Sequence, residues 1–273
     1  MAVAMETEHY ENFPVASILM PSRLRRPVGL IYRFAREADD FADEGDLQPA
    51  ERLALLDSFS RELDRIQAGQ TPEIAWFSEL AAIIREHQLP LQLFHDLLSA
   101  FSQDVVKARY ATYPELLDYC RRSANPVGRL LLVLYGAATP QNNAWSDAIC
   151  SSLQLINFWQ DVAIDYRKNR IYFPQDDMAQ HGIAENDIAN ANCDDKWRAL
   201  MRFEVTRTRE FLRSGAPLGR ELKGRLGLEM RMIIAGGDRI LSKIINVDYD
   251  VFRRRPVLKP YDWVLMLVRT TSN

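Results

Sequence analysis

Apolar residues recur along most of this chain at steps of three and four positions, which is the period of an amphipathic helix. Leu53, Leu56, Phe59, Leu63 and Ile66 give a clear example. Comparable stripes predict further helices over 91–105, 116–120, 144–165, 197–212 and 226–245. The alternating apolar and polar positions that predict β-strands are not found. The pattern therefore predicts an all-α protein.

Short breaks rich in Gly, Pro, Asn and Asp separate these stripes and predict turns. They fall at 45–49, 69–72, 139–143, 173–177, 214–219 and 256–260. None of them is long enough to be an interdomain linker. We therefore predict one helical domain over residues 1–273, in which side chains from facing helices can build a site.

Composition narrows the class of protein. A content of 47% hydrophobic and 26% charged residues is ordinary for a soluble globular chain, and a formal charge of −3 gives no reason to propose a nucleic-acid partner. Three separated cysteines predict buried thiols in a reducing compartment. Because no apolar run approaches the ~20 residues that span a bilayer, and the acidic N-terminus does not resemble a secretory signal, we expect a cytoplasmic protein. Peripheral membrane contact stays open.

The first stretch with predicted chemistry carries Tyr32, Arg36, Asp39 and Asp43 along one helical stripe. Residues four apart share a helix face, so the two carboxylates repel each other unless a cation lies between them. Mg²⁺ prefers oxygen ligands and is shared with substrate phosphates, to which an arginine offers a planar set of donors. This stretch therefore predicts a diphosphate site. The alternative is a solvated acidic face.

The second stretch carries Gln154, Asn157, Asp161 and Asp165 on one helical face. Their intervening neighbours are strongly apolar, which places the polar stripe near a buried surface. Burial of so many oxygen atoms without partners would cost several kcal/mol, whereas a metal ion with its water shell would satisfy them. The alternative is a buried hydrogen-bonded network with a structural role.

A cluster of cations follows the second carboxylate stretch directly. Arg167, Lys168 and Arg170 precede Tyr172 in the segment that ends at Pro174. These cations either neutralise the C-terminus of a helix or close over an anionic substrate. For the second interpretation we favour Arg170 and Tyr172.

Taken together, the motifs resemble those of the squalene/phytoene synthase family. The resemblance covers nearly the whole chain and is carried by Arg36 with the segments 11–17, 38–44, 123–129, 157–165 and 170–174. The combination of two aspartate motifs is far more specific than either one alone. Within the family, segments 11–17, 38–44, 123–129 and 157–162 resemble the branch that makes hydroxysqualene in bacterial hopanoid biosynthesis.

The resemblance implies an all-helical isoprenoid synthase fold, a bundle around a central apolar cavity. It implies Mg²⁺ as cofactor, an isoprenoid diphosphate as substrate and other enzymes of the squalene and hopanoid pathway as partners. The branch implies that presqualene diphosphate is converted to hydroxysqualene with release of diphosphate. The roles that it implies are metal binding by Asp39, Asp43, Asn157, Asp161 and Asp165, substrate contact by Phe13, Tyr32, Arg36, Gln154, Asn157 and Arg170, and catalysis by Tyr32, Arg36, Arg170 and Tyr172.

Two alternative functions remain open from the residues. One is a sister reaction that condenses two farnesyl diphosphates to presqualene diphosphate or squalene. The other is a non-catalytic helical scaffold. A glycine pair, Gly236 and Gly237, has two interpretations as well: it makes room for a water beside a carbocation, or it permits close packing of helices.

Overall fold

The computed structural model describes residues 21–271, so Phe13 lies outside the described residues. Within that range the regular elements are α-helices, which confirms the all-α prediction. They are α1 Ser22–Asp43, α2 Pro49–Gln67, α3 Phe77–His87, α4 Leu91–Val106, α5 Tyr113–Ser123, α6 Asn125–Leu134, α7 Pro140–Gln160, α8 Val162–Arg167, α9 Gln175–Gln180, α10 Glu185–Ala189, α11 Asp195–Gly215, α12 Leu218–Glu221, α13 Gly224–Asn246 and α14 Pro260–Thr271. None of the helices described is long and apolar enough to cross a membrane.

A first hydrophobic cluster is built by α1 to α4 together with part of α6. At its centre the ring of Phe34 packs against Phe59, Phe77 and Phe94, with ring centroids 5.6, 6.0 and 5.1 Å away. Phe34 and Ala38 point into this cluster, one turn apart on α1. The polar stripe of α1 must therefore face away from it, toward the rest of the molecule.

A second hydrophobic cluster surrounds α7, which packs against α5, α6, α11 and α13. Trp159 of α7 is fully buried there, and its indole N–H donates a hydrogen bond of 2.8 Å to Thr208 of α11. α4 and α6 contribute side chains to both clusters and so join them. The single domain expected over 1–273 stays a prediction.

The helix predicted over 144–165 is wrong at both ends. It begins at Pro140, inside a predicted turn, because the Thr139 side chain accepts a hydrogen bond of 3.1 Å from the amide of Asn142 and proline suits a first turn. It ends at Gln160, and α8 starts after Asp161, whose φ and ψ are −105° and 15°. The amide of Asp165 still donates to the carbonyl of Asp161 at 2.9 Å, so those two residues remain one turn apart.

Gly237 packs α13 closely against its neighbours. A Cβ atom at this position would lie 3.1 Å from Leu153 of α7, 3.1 Å from Leu212 of α11 and 3.2 Å from Ile156. Such distances are tighter than ordinary van der Waals contact. For Gly237 the structure therefore supports helix packing over the interpretation that the glycine makes room for a water.

Candidate active site

Both aspartate motifs line one small cavity of about 160 Å³, where α1, α4, α5, α7 and α8 meet. The polar stripe at the C-terminal end of α1 lines one side of the cavity. The junction of α7 and α8, which belongs to the second hydrophobic cluster, lines the opposite side. The lining residues are Asp39, Asp43, Asp104, Tyr119, Gln154, Asn157, Phe158, Asp161, Asp165, Arg170 and Tyr172. Eight of the eleven predicted site residues are thus brought together.

Arg36 and Tyr32 are not part of this lining. Arg36 instead forms ion pairs on its own helix, at 2.7 Å with Asp40 and 3.6 Å with Asp39. These pairs follow from the i+3 and i+4 spacing and offset part of the negative charge of α1. Tyr32 lies one turn earlier on α1 and is half-buried. Contact of either residue with a diphosphate stays a prediction.

Arg170 and Lys168 reach back to the end of α1. The Arg170 guanidinium donates to the Asp43 carboxylate at 2.5 Å and to the backbone carbonyl of Asp104 at 3.1 Å, while Lys168 donates to Asp43 at 3.3 Å. Burial alone would raise the pKa of Asp43, but these two cations outweigh it and hold the pKa below its ordinary value. Lys168 and Arg170, which follow the second aspartate motif in the sequence, thus neutralise Asp43 of the first aspartate motif.

Tyr172 forms part of the aromatic wall of the cavity. Its ring stacks on Phe158 with centroids 3.7 Å apart and an angle of 6° between the planes. Burial and the nearby Asp104 carboxylate raise the pKa of Tyr172 well above its ordinary value. The hydroxyl therefore stays protonated, and both aromatic residues line the cavity beside the carboxylates.

Arg255 belongs to the basic segment 253–255, for which the sequence leaves two alternatives, contact with the substrate diphosphate or with solvent alone. It binds the Asp161 carboxylate through both Nε and Nη2, the latter at 3.1 Å. Next to it, the Gln160 side chain donates to the backbone carbonyl of Pro256. The segment after α13 is therefore anchored at the point where α7 ends. No spacing pattern in the sequence links Arg255 to a motif ninety-four positions earlier.

Sequence reasoning missed Asp104 and Tyr119. The Tyr119 hydroxyl donates to Asp104 at 2.6 Å, and the other carboxylate oxygen of Asp104 is buried without a hydrogen bond among the described residues. Burial raises the pKa of Asp104 to about 7, although Tyr119 and Arg170 lower it. Asp104 is a single acidic residue in an ordinary amphipathic helix, so only its position in the fold marks it.

Nearby cations offset the charges of Asp165 and Asp39 only in part. Burial, followed by repulsion from Asp161, raises the pKa of Asp165 to about 8. Asp39 keeps 42% of its side-chain surface exposed, yet the surrounding protein and then Asp43 raise its pKa to about 6. Carboxylates shifted in this direction have too little positive charge nearby to offset burial and repulsion.

Magnesium fits the chemistry of this lining. Carboxylate and amide oxygens are the hard donors that Mg²⁺ prefers, and the shifted carboxylates would be stabilised by a divalent charge. Across the described ranges, no three acidic, histidine or cysteine side chains lie close enough to hold one ion together. Mg²⁺ usually takes one or two carboxylates and completes its shell with water and substrate phosphate.

An all-helical bundle that directs two carboxylate motifs, an arginine and stacked aromatic rings into one cavity defines a class, the isoprenoid synthase fold. Solved structures share it. A squalene synthase, HpnC, of Alicyclobacillus acidocaldarius superposes with a TM-score of 0.81 at 36% identity, over 88% of this chain and 90% of that one. A dehydrosqualene synthase in complex with a ligand superposes with a TM-score of 0.82 at 21% identity over 93% of this chain and 88% of that one, which supports the fold alone.

The sequence comparisons narrow the class to a family. The squalene/phytoene synthase model matches residues 7–262, and the chain belongs to that family. Hydroxysqualene synthase of Rhodopseudomonas palustris is 37% identical over 95% of this chain and 87% of its own length. A 15-cis-phytoene synthase of Synechococcus elongatus is 30% identical over 90% and 83%. The protein is therefore an enzyme that acts on isoprenoid diphosphates, and the scaffold alternative is set aside.

Proposed function

We propose that this enzyme converts presqualene diphosphate and water into hydroxysqualene, diphosphate and a proton. The observation that carries the proposal is the meeting of two carboxylate pairs and Arg170 in one cavity. Support for the particular product comes from relatives named hydroxysqualene synthase, at 37% and 34% identity over at least 95% of this chain.

Magnesium would be held by Asp39 and Asp43 on one side and by Asp161 and Asp165 on the other, with Asn157 beside the second pair. When bound, it would supply positive charge that stabilises the departing diphosphate. The helices that carry the two aspartate pairs pack into different hydrophobic clusters. A diphosphate between the pairs would therefore be bound from both sides.

The chain's own residues would assist in three ways. Arg170 would bind diphosphate oxygens as charge develops on them, because a guanidinium presents several donors in one plane. The stacked Phe158 and Tyr172 rings would stabilise the carbocation that is left, since aromatic faces attract positive charge. Gln154 would hold the diphosphate or its water in place. Water would then attack the carbocation, form the alcohol and lose its proton.

The deciding experiment supplies two substrates in parallel. Purified enzyme with Mg²⁺ receives presqualene diphosphate in one reaction and farnesyl diphosphate in the other, and hydroxysqualene and diphosphate are quantified. We expect turnover of the first substrate only, and an Asp161→Asn variant to lose at least about 100-fold in kcat/KM, as expected for a group that stabilises the transition state. Asp57→Asn, on the exposed face of α2, is the matched control and should retain activity.

The sister reaction remains the second candidate. Phytoene synthases, whose names denote a different product, are about 30% identical to this chain. Conversion of farnesyl diphosphate to presqualene diphosphate or squalene in the same assay would contradict our choice of substrate while leaving the site intact.

A further inference from the structure

A large groove opens far from the carboxylates. It encloses about 1200 Å³ between the end of α11, α12 and the first half of α13. Its apolar lining includes Trp145, Leu212, Leu228 and Ile234. On α7, Trp145 precedes Asn157 by twelve positions, which corresponds to about 18 Å of helix. The groove is therefore separate from the site described above.

A second cavity of about 520 Å³ adjoins this groove, and the side chain of Glu221 lines both. Pro21, the residue before α1, lines the second cavity. Since α1 has 22 residues, its aspartate end lies about 33 Å from Pro21. The two cavities thus lie at the end of the bundle opposite to the active site.

Five cations line the two cavities. Arg231 donates a hydrogen bond of 2.7 Å to the backbone carbonyl of Gly219. The other four, Arg213, Arg220, Lys223 and Arg225, are together called the basic end. The segment 213–228 carries these four cations and one anion, a net charge of +3 in a chain whose net charge is −3. All four are exposed, and in the described part of the chain their side chains have neither a hydrogen bond nor an ion pair.

The basic end differs in this respect from the cations of the active site. Arg170 and Arg255 are each held by a carboxylate. Exposed cations without partners beside an open apolar groove add little to folding, but they match a ligand that has an anionic head and an apolar chain. An acidic polypeptide would need a suitably placed apolar side chain to fill the groove as well, whereas an anionic lipid always carries both groups.

We propose that the basic end docks on an anionic lipid surface. Lipid phosphates would bind the four cations, and an acyl chain would enter the groove beside Trp145. Basic residues near an anionic bilayer contribute additively, and an apolar contact strengthens the attachment. The carboxylate cavity would then face away from the bilayer, where Mg²⁺ and diphosphate exchange with water. This inference does not depend on which isoprenoid diphosphate is the substrate.

Vesicle co-sedimentation of the full chain tests the charge contribution. We expect binding to phosphatidylcholine vesicles that contain phosphatidylglycerol, no binding to pure phosphatidylcholine, and loss of binding as salt is raised from about 0.05 to 0.5 M. The triple variant Arg213→Ala, Arg220→Ala, Lys223→Ala should bind about 100-fold more weakly. The matched control Arg85→Ala, Lys196→Ala, Arg202→Ala removes the same charge from exposed positions elsewhere and should bind like wild type.

Fluorescence quenching tests the groove without altering its charges. Phosphatidylglycerol brominated on its acyl chains should quench part of the tryptophan emission of the wild-type protein. That part should vanish in Trp145→Phe, although four other tryptophans remain. This measurement keeps the proposal testable if the triple variant melts at a lower temperature than wild type.

Three results would overturn the proposal. Equal binding to pure phosphatidylcholine would exclude recognition of anionic lipid. An equal loss in the control triple variant would show that net charge, and no particular surface, governs binding. Displacement from vesicles by polyglutamate with no bromolipid quenching at Trp145 would assign the basic end to an acidic protein partner.

Discussion

The pKa values of the carboxyl groups in this site differ because each group has different immediate neighbours. Asp43 has Arg170 and Lys168 within hydrogen-bonding distance, and its pKa is lowered. Partial burial, followed by repulsion from Asp161, raises the pKa of Asp165 to about 8. Asp104 is partly buried as well and accepts a hydrogen bond from Tyr119, and its pKa is raised to about 7. Without a metal ion, the surroundings therefore lower the pKa of Asp43 and raise the pKa values of Asp165 and Asp104.

Asp104 predicts a specific dependence of stability on pH. Its pKa is about 7 in the folded chain and about 3.9 when unfolded, so the folded state binds the proton more tightly. The stabilisation is complete below about pH 4 and is lost as the pH rises through 7. Asp104→Asn stays neutral, so without Mg²⁺ the melting temperature of wild type relative to Asp104→Asn should fall by several degrees between pH 5 and 8. Parallel melting curves for the two proteins would contradict the environment described for Asp104.

At the scale of elements, helix packing decides which residues face the site. α7 packs against α11 through Trp159 and Thr208 and against α13 through the close approach at Gly237. These contacts set the rotation of α7 about its axis. That rotation in turn directs Asn157 and Asp161 toward the end of α1. The geometry of the site thus depends on residues that line no part of the carboxylate cavity.

Gly237→Ala should be destabilising because the added methyl group would meet three side chains at 3.1 to 3.2 Å. Overpacking of this kind costs about 1–3 kcal/mol, against about 0.5–1 kcal/mol that alanine gains over glycine inside a helix, so the melting temperature should fall. Gly29→Ala is the matched control: Gly29 lies inside α1, and a Cβ atom added there would meet no other atom within 4 Å, so alanine should stabilise the helix by about 0.5–1 kcal/mol. Opposite shifts in thermal melting are expected, and equal shifts would refute the packing argument.

At the scale of the whole molecule, the site lies between two hydrophobic clusters. The first cluster carries Asp39 and Asp43, and the second carries Asp161 and Asp165. Apart from α4 and α6, which join the clusters, ion pairs such as Arg170 with Asp43 connect the two sides. A ligand that binds both carboxylate pairs would therefore add a connection between the two hydrophobic clusters and stabilise the fold.

Mg²⁺ combined with inorganic diphosphate should consequently stabilise the fold more than either one alone. A ligand that binds only the folded state at a hundred times its Kd adds about 2.7 kcal/mol, which corresponds to several degrees in melting temperature. The shift should be absent in Asp161→Asn and unchanged in Asp57→Asn. A shift with diphosphate alone that equals the shift with Mg²⁺ and diphosphate together would contradict the proposed metal ligands.

The sequence by itself determined the features that depend on local spacing. The helical period set the fold class, and the i, i+4 spacing placed Asp39 with Asp43 on one face because neighbouring turns of a helix lie one above the other. The same spacing related Asp161 to Asp165, although the break between α7 and α8 was not foreseen. The family resemblance, confirmed by the comparisons, added the class of substrate.

Only the tertiary structure decided which distant groups meet. Arg170 reaches Asp43 across 127 positions and Arg255 reaches Asp161 across 94, while Asp104 enters the cavity from α4. These contacts follow from how whole helices pack, which depends on the summed burial of many side chains and leaves no periodic trace near the residues concerned. The paired aspartates can be found in the sequence because their spacing is local. The distant residues that shift their pKa values cannot be found in this way.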